Sequence, residues 1–248
     1  MPDFADRSIL ITGAASGIGL ATAEYFATHG TARLVLVDID AVALDALDLP
    51  IRCERLAGDV ADEAFWDAAD LGALDHAVVN AGIAGAGAIT GLAFAEWRRI
   101  LSVNLDGAFL TLRAAMRAMD GRGGSIVAVA SAAGIKAEPG VAAYGASKAA
   151  LIQLARVAAK EGAASGIRVN AIAPAGVETP VWDAVPMFAD RAAEIGRDAA
   201  FAEMARMATP LGRYARPDEI AAQIAFLLSD GAAYMTGTTL VSDGGYTL

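Results

Sequence analysis

Short apolar runs recur along the chain, each followed by a longer stretch in which apolar residues return every three or four positions. Ser8–Thr12 (SILIT) is such a run and stops at Gly13. Residues 33–37 (RLVLV) form a second and lead into Asp38, residues 77–79 end a third, and residues 125–130 (SIVAVA) make a fourth. Residues 167–172 and 238–241 supply two more. Runs this short, with little polar alternation, belong to strands buried on both faces. Helical patterns, such as those over residues 18–28 and 143–164, lie between them. Strands alternating with helices predict an α/β fold, with a parallel sheet covered on both sides.

The clearest helix spans residues 96–119. Leu101, Leu105, Ala108, Leu112, Ala115 and Met119 return at spacings of three and four, so one face is apolar. Asp120-Gly121 ends it, and Gly123-Gly124 leads into the next strand. Arg216-Pro217-Asp218-Glu219 opens a later helix, with proline and acids in its first turn. Residues 180–210 are helical in pattern but broken at Pro186 and Gly196, and they carry Trp182, Met187, Phe188, Phe201 and Met204. They read as a flap over a site or as a plain surface hairpin of helices. No internal repeat, linker or low-complexity tail interrupts the chain, so residues 1–248 are expected to form one domain.

Composition narrows the classes. The chain has 248 residues, is 56% hydrophobic and carries a formal net charge of −10. Such a chain buries a large core without staples, and its apolar content excludes disorder. The apolar excess is mostly alanine, with 6% aromatics. The longest uncharged stretch, between His76 and Glu96, approaches the roughly 20 residues that a membrane span needs. Asn80, Thr90, Gly82, Gly85, Gly87 and Gly91 break it, so a buried strand and a glycine-rich loop are expected there, and no membrane partner. The first residues lack an apolar secretory core. Cys53 is the only cysteine, which excludes an internal disulfide and suits the cytoplasm. An acidic chain with dispersed basic residues disfavours nucleic acid. His29 and His76 have no metal-ligand neighbours, so no metal is expected.

Two clusters carry chemistry. Thr12-Gly13-Ala14-Ala15-Ser16-Gly17-Ile18-Gly19 follows the first strand and opens a helix. Gly13, Gly17 and Gly19 let backbone N–H groups approach a pyrophosphate, and the helix N-terminus adds partial positive charge. Ser16 can cap that helix and donate to phosphate. No Lys-Ser or Lys-Thr ends the turn, which argues against a nucleoside triphosphate. Asp38 ends the second strand about 25 positions after Gly13, where a carboxylate accepts from ribose hydroxyls and repels a 2′-phosphate. Asp59 and Val60 could flank an adenine.

The second cluster is Tyr144 and Lys148, four apart in Ala-Tyr-Gly-Ala-Ser-Lys and so on one helix face. A cation beside a phenol stabilises the phenolate and lowers its pKa. Ser131 follows the strand 125–130 at its carboxyl end, where open α/β sheets place ligands. Asn104 lies inside the apolar 96–119 pattern, where a buried amide needs a partner such as water.

Taken together, the chain resembles the short-chain dehydrogenase/reductase family over essentially its whole length. The resemblance rests on T-G-A-A-S-G-I-G (12–19), Asp59-Val60, N-A-G (80–82), S-V-N (102–104), Ser131, Y-G-A-S-K (144–148), R-V-N (168–170) and D-G-G (243–245). It implies a single Rossmann-type, doubly wound parallel sheet of about seven strands with helices on both faces. It also implies a nicotinamide cofactor. In such enzymes Tyr144 would be the general acid/base and Lys148 would lower its pKa and bind the nicotinamide ribose. Ser131 would position the substrate oxygen, and Asn104 would hold a water in a proton relay. Gly13, Ser16, Gly17, Ile18, Gly19 and Asp38 would bind the cofactor with Asp59 and Val60. Asn80, Ala81 and Gly82 would line the adenosine-ribose side, and Pro174, Val177 and Thr179 the nicotinamide end. A homotetramer built on the two long helices is also implied. One departure stands out: Ala175 occupies the family's usual glycine position. Alanine there would be strained if φ were positive, so a modest local shift is expected.

The expected activity is NAD-dependent oxidation of a secondary alcohol, or reduction of its ketone. The alternative is an NADPH-dependent reductase of 3-oxoacyl thioesters, which Asp38 and the net charge disfavour. A non-enzymatic cofactor sensor is a third possibility, but such relatives typically lack the Tyr or the Lys. The expected pocket wall combines Ser131, Ala132, Ala133, Glu138, Tyr144, Trp182, Val185, Met187 and Phe188, mostly apolar. Glu138 is either exposed or selects a polar group on the substrate.

Overall fold

The computed structural model describes residues 4–248. Seven strands lie in one parallel sheet: β1 Ser8–Thr12, β2 Arg33–Asp38, β3 Arg52–Ala57, β4 His76–Val79, β5 Gly124–Val129, β6 Ile167–Pro174 and β7 Thr239–Ser242. Their order is β3-β2-β1-β4-β5-β6-β7. The first three strands step one way and the chain then crosses back to lay β4 against the other side of β1. That reversal opens a crevice beyond the carboxyl ends of β1 and β4, where such sheets bind ligands.

Nine helices join the strands: α1 Gly17–Thr28, α2 Ala41–Asp45, α3 Glu63–Ala68, α4 Phe94–Leu101, α5 Gly107–Ala118, α6 Ala142–Gly162, α7 Pro186–Ile195, α8 Arg197–Ala208 and α9 Pro217–Leu228, among the described residues. Alternate strand residues point to opposite faces, which is why the apolar runs need cover on both. Leu10, Val35, Val79, Ile126 and Val169 pack with Leu112, Met119, Leu151 and Ala155 of α5 and α6. Their neighbours Ile9, Leu34, Val78, Val127 and Ile172 pack with Phe26, Ile220 and Ile224 of α1 and α9. A third, smaller cluster holds Phe188, Phe201 and Tyr214, with Trp182 against it. Among the described residues, no helix is long and apolar enough to cross a membrane.

Two expectations change. Strand β3 was absent from the apolar runs because it is an edge strand: Arg52, Glu54 and Arg55 leave it half-exposed, and Glu54 pairs with Arg33 and Arg52. The 96–119 pattern is not one uniform helix. Between α4 and α5, residues Ser102–Asp106 form a wide π turn, and Asn104 sits in it. Such turns break the regular ladder and are frequent at functional sites.

Candidate active site

Gly13, Asp38, Asn80, Ser131 and Pro174 all stand at the carboxyl ends of strands or just beyond, along one edge of the sheet. The turn after β1 has no room for side chains. Gly13 has φ +65°, and a Cβ on Gly19 would stand 1.9 Å from the Gly13 carbonyl oxygen. Asn80 braces this turn from below: its Nδ2 donates to the carbonyls of Thr12 (2.9 Å) and Gly13 (3.2 Å). Thr12 Oγ1 accepts from the amides of Asn80 (3.0 Å) and Ala81 (3.1 Å). The Asn80 side chain therefore shapes the turn. Ser16 is the N-cap of α1 but makes no side-chain cap bond, contrary to its expected capping role. The first-turn amides of α1 lack helical partners and face the crevice as anion donors.

Asp38 closes the other side of the turn. Its Oδ2 accepts from the Ala15 amide at 2.9 Å and its Oδ1 from the Asp40 amide at 3.0 Å. Asp59 Oδ1 accepts from the Ala61 amide at 2.8 Å. The Val60 side chain is buried in the core against Gly107, and its carbonyl accepts from Trp66 Nε1 at 2.8 Å. Ile18 is half-buried on α1, packed against the β1–α1 face of the core.

The reactive side chains meet where β5, the π turn and α6 converge. Ser131 caps a short 3-10 turn through Ala133 N (3.2 Å), and its hydroxyl is near enough to the Tyr144 phenol to favour the phenolate. Tyr144 and Lys148 share one face of α6, with Lys148 Nζ 5.8 Å from the Tyr144 ring centroid. Lys148 is buried, and its Nζ donates to the Val129 carbonyl at 2.8 Å. Burial pulls this ammonium down to about 8. Burial also pushes the Tyr144 phenol up, and the Ser131 hydroxyl pulls it back down. The Lys148 ammonium bonds the Val129 carbonyl and lies beside the Tyr144 ring.

Asn104 is fully buried and its amide is satisfied by protein. Oδ1 accepts from Ile83 N (2.8 Å), and Nδ2 donates to the Ile83 carbonyl (3.0 Å) and to Ser147 Oγ (3.1 Å). The partners that its burial demands are thus protein groups. It joins the loop after β4 to α6. Gly82 sits over the pair, since a Cβ there would stand 3.2 Å from Asn104 Oδ1 and 3.3 Å from Lys148 Nζ.

On the far side of the crevice, Thr179 is buried against Gly17, whose Cβ would meet it at 3.3 Å. Pro174 ends β6, and Val177 is buried beneath the loop between them. Among the described residues other than glycine, only Asp6 has positive φ, so Ala175 is unstrained and the reason for a shift disappears. The residue that must be glycine is Gly176, where a Cβ would stand 2.2 Å from the Tyr214 ring. The expected pocket wall is also revised. Phe188 and Ala132 are buried in packing, and Met187 is 68% exposed. Trp182 stacks on Tyr214 at 5.3 Å and donates to the Val177 carbonyl at 2.8 Å. Ala133 backs Gly145 on α6. Glu138 is exposed but paired: Lys136 Nζ lies 3.6 Å away and donates to the Tyr246 carbonyl at 2.8 Å. Burial, with the Glu138 carboxylate nearby, pushes the Tyr246 phenol up to about 12.

Comparison with known proteins agrees with this geometry. A family model described as enoyl-(acyl carrier protein) reductase matches residues 13–247. A cis-4-hydroxycyclohexanecarboxylate dehydrogenase of Sinomonas cyclohexanicum is 43% identical, covering 98% of each chain. The crystal structure of a short-chain type dehydrogenase/reductase from Mycobacterium marinum superposes with a TM-score of 0.87 at 32% identity, covering 99% of this chain and 97% of that one. An L-sorbose reductase of Gluconobacter frateurii, solved with NADPH and L-sorbose, gives 0.90 at 30% identity, covering 98% and 97%. With a match across nearly its whole length, the chain is an oxidoreductase and belongs to the short-chain dehydrogenase/reductase family.

Proposed function

We propose that this enzyme oxidises a secondary alcohol with NAD and reduces the corresponding ketone in reverse. The observation that carries the reading is Tyr144 and a buried Lys148 on one face of α6, beside Ser131, at the same sheet edge as the glycine turn and Asp38. The donor set fits a dinucleotide: a side-chain-free turn, unpaired first-turn amides of α1, and a carboxylate at the rim. Gly13, Ser16, Gly17, Ile18 and Gly19 would hold the pyrophosphate, Asp38 the adenosine ribose, and Thr179 with Pro174 the nicotinamide end. When bound, the nicotinamide supplies or accepts the hydride, and the protein handles the proton.

An alcohol oxygen beside Ser131 and Tyr144 would accept from the Ser131 hydroxyl and donate to Tyr144. As the phenolate, Tyr144 takes the alcohol proton as general base; as the phenol, it donates that proton to a ketone in reverse. Ser131 holds the oxygen in register and favours the phenolate. Lys148 is a buried ammonium with no carboxylate partner among the described residues, so its charge would support that phenolate. Asn104 holds the loop after β4 against α6 and so fixes the floor of the site.

Asp38 supports NAD over NADP, because a 2′-phosphate would bring its negative charges against the carboxylate. The relative acting on a hydroxycyclohexanecarboxylate, by its name, supports a cyclic secondary alcohol. The single domain, the covering role of residues 180–210, the cytoplasmic location and the homotetramer belong to the same proposal. Purified enzyme should be screened with NAD and NADP against cyclic, aromatic and aliphatic secondary alcohols. NADH formation with clear preference for NAD is expected. Turnover confined to NADPH and 3-oxoacyl thioesters would replace this reading with the carrier-protein reductase.

A further inference from the structure

Helices α7 and α8 pack on each other and on the Pro180–Ala184 turn, away from the sheet. One side chain gathers several of the contacts that tie them to the loop after β6. Arg197 opens α8, directly after Gly196. One guanidinium nitrogen donates to the Thr179 carbonyl at 2.9 Å. Another pairs with the Asp183 carboxylate. The guanidinium also lies over the rings of Phe188 (5.4 Å) and Phe201 (5.1 Å). It therefore touches the nicotinamide-side loop, the Pro180–Ala184 turn, α7 and α8 at once. Thr179 is in turn packed against Gly17 of the phosphate turn. A second link runs in parallel, from Trp182 Nε1 to the Val177 carbonyl.

We infer that Arg197 is a positioning residue that fixes the 180–208 flap against the cofactor loop, coupling cofactor retention to substrate binding. The inference rests on the reading that this segment covers the site. The side chains of Arg197 and Asp183 are 40% and 58% exposed, so their ion pair contributes little. The distinctive contacts are the charge-assisted bond to Thr179 and the two aromatic faces. Lysine keeps the charge but loses the planar fork and its stacking, so it should not substitute.

Full-length wild type, Arg197→Lys, Arg197→Gln and Asp183→Asn would be compared. The readouts are KM for a turned-over alcohol, kcat, the Kd of NADH by fluorescence, and hydrogen exchange in α7 and α8. Both Arg197 variants should raise KM and the NADH Kd by about tenfold with kcat within about threefold. Exchange should quicken in α7 and α8 and stay unchanged in α9. Asp183→Asn should change each value less than twofold. Arg197 variants with wild-type KM, Kd and exchange, or complete rescue by lysine, would overturn the inference. If Arg197→Gln does not fold, Arg197→Lys decides alone. If wild type turns over no secondary alcohol, the functional reading fails, while NADH Kd and exchange still test the clamp.

Discussion

At the scale of single residues, the site is built from carboxylates and hydroxyls whose partners are backbone groups. Asp38 uses one oxygen on the Ala15 amide of the turn it faces and the other on the Asp40 amide of its own loop, so it is held in place at the rim of the turn. Asp38→Ser should lower the NAD to NADP ratio of kcat/KM by about 100-fold, the equivalent of two decades of binding discrimination. An unchanged ratio would remove Asp38 from cofactor selection. His76 makes a prediction about stability. It is half-buried beside Phe4, and its Nδ1 lies 3.1 Å from Ser125 Oγ. Burial depresses its pKa to about 4, against 6.5 when free, with Asp75 opposing the shift. The neutral form is favoured in the fold, so this stabilisation is full above pH 6.5 and is lost as pH falls through about 4. Urea unfolding at pH 7 and 4.5 should show the wild type losing about 2–3 kcal/mol more than His76→Gln; equal losses would contradict it. Ser131, Tyr144 and Lys148 were legible in the sequence because their chemistry depends on short spacings. Arg197, Lys136 and Tyr246 were not, since each acts on a partner brought near only by tertiary folding. The direction of the Tyr144 shift was also illegible, because spacing says nothing about burial or where Lys148 points.

At the scale of elements, legibility followed burial. β1, β2, β4, β5 and β6 are covered on both faces and announced themselves as apolar runs; of the two edge strands, the uncharged β7 also showed, whereas β3, with Arg52, Glu54 and Arg55, did not. The helix periodicity of 96–119 held through the π turn, so the interruption at Asn104 left no mark on the pattern. Arg168 shows how an element end is held. Its guanidinium donates to the carbonyls of Leu227, Leu228, Ser229 and Met235, at 3.0–3.2 Å, closing the carboxyl end of α9. Burial opposes its charge and Asp230 supports it. Arg168→Leu would leave those carbonyls unpaired beneath β7 and should cost roughly 2–4 kcal/mol by urea unfolding. A loss below about 0.5 kcal/mol would mean that water replaces the guanidinium without penalty.

At the scale of the whole molecule, the alanine and glycine excess has two uses: side-chain-free cofactor turns and close helix packing. Exposed Phe94, Phe109 and Val157 on α4, α5 and α6 form an apolar surface that suits the proposed homotetramer. Light scattering at micromolar concentration should give four times the chain mass, and a monomer mass would refute it. The acidic balance and Asp38 together weigh against an acidic carrier protein as partner. The central claim is that Tyr144 moves the proton of a secondary alcohol, and Tyr144→Phe tests it most directly. NADH formation from an alcohol that the wild type oxidises would be followed alongside NADH affinity. The variant should bind NADH within about twofold of wild type and lose at least about 100-fold in kcat. Full turnover with the phenol removed would contradict the account.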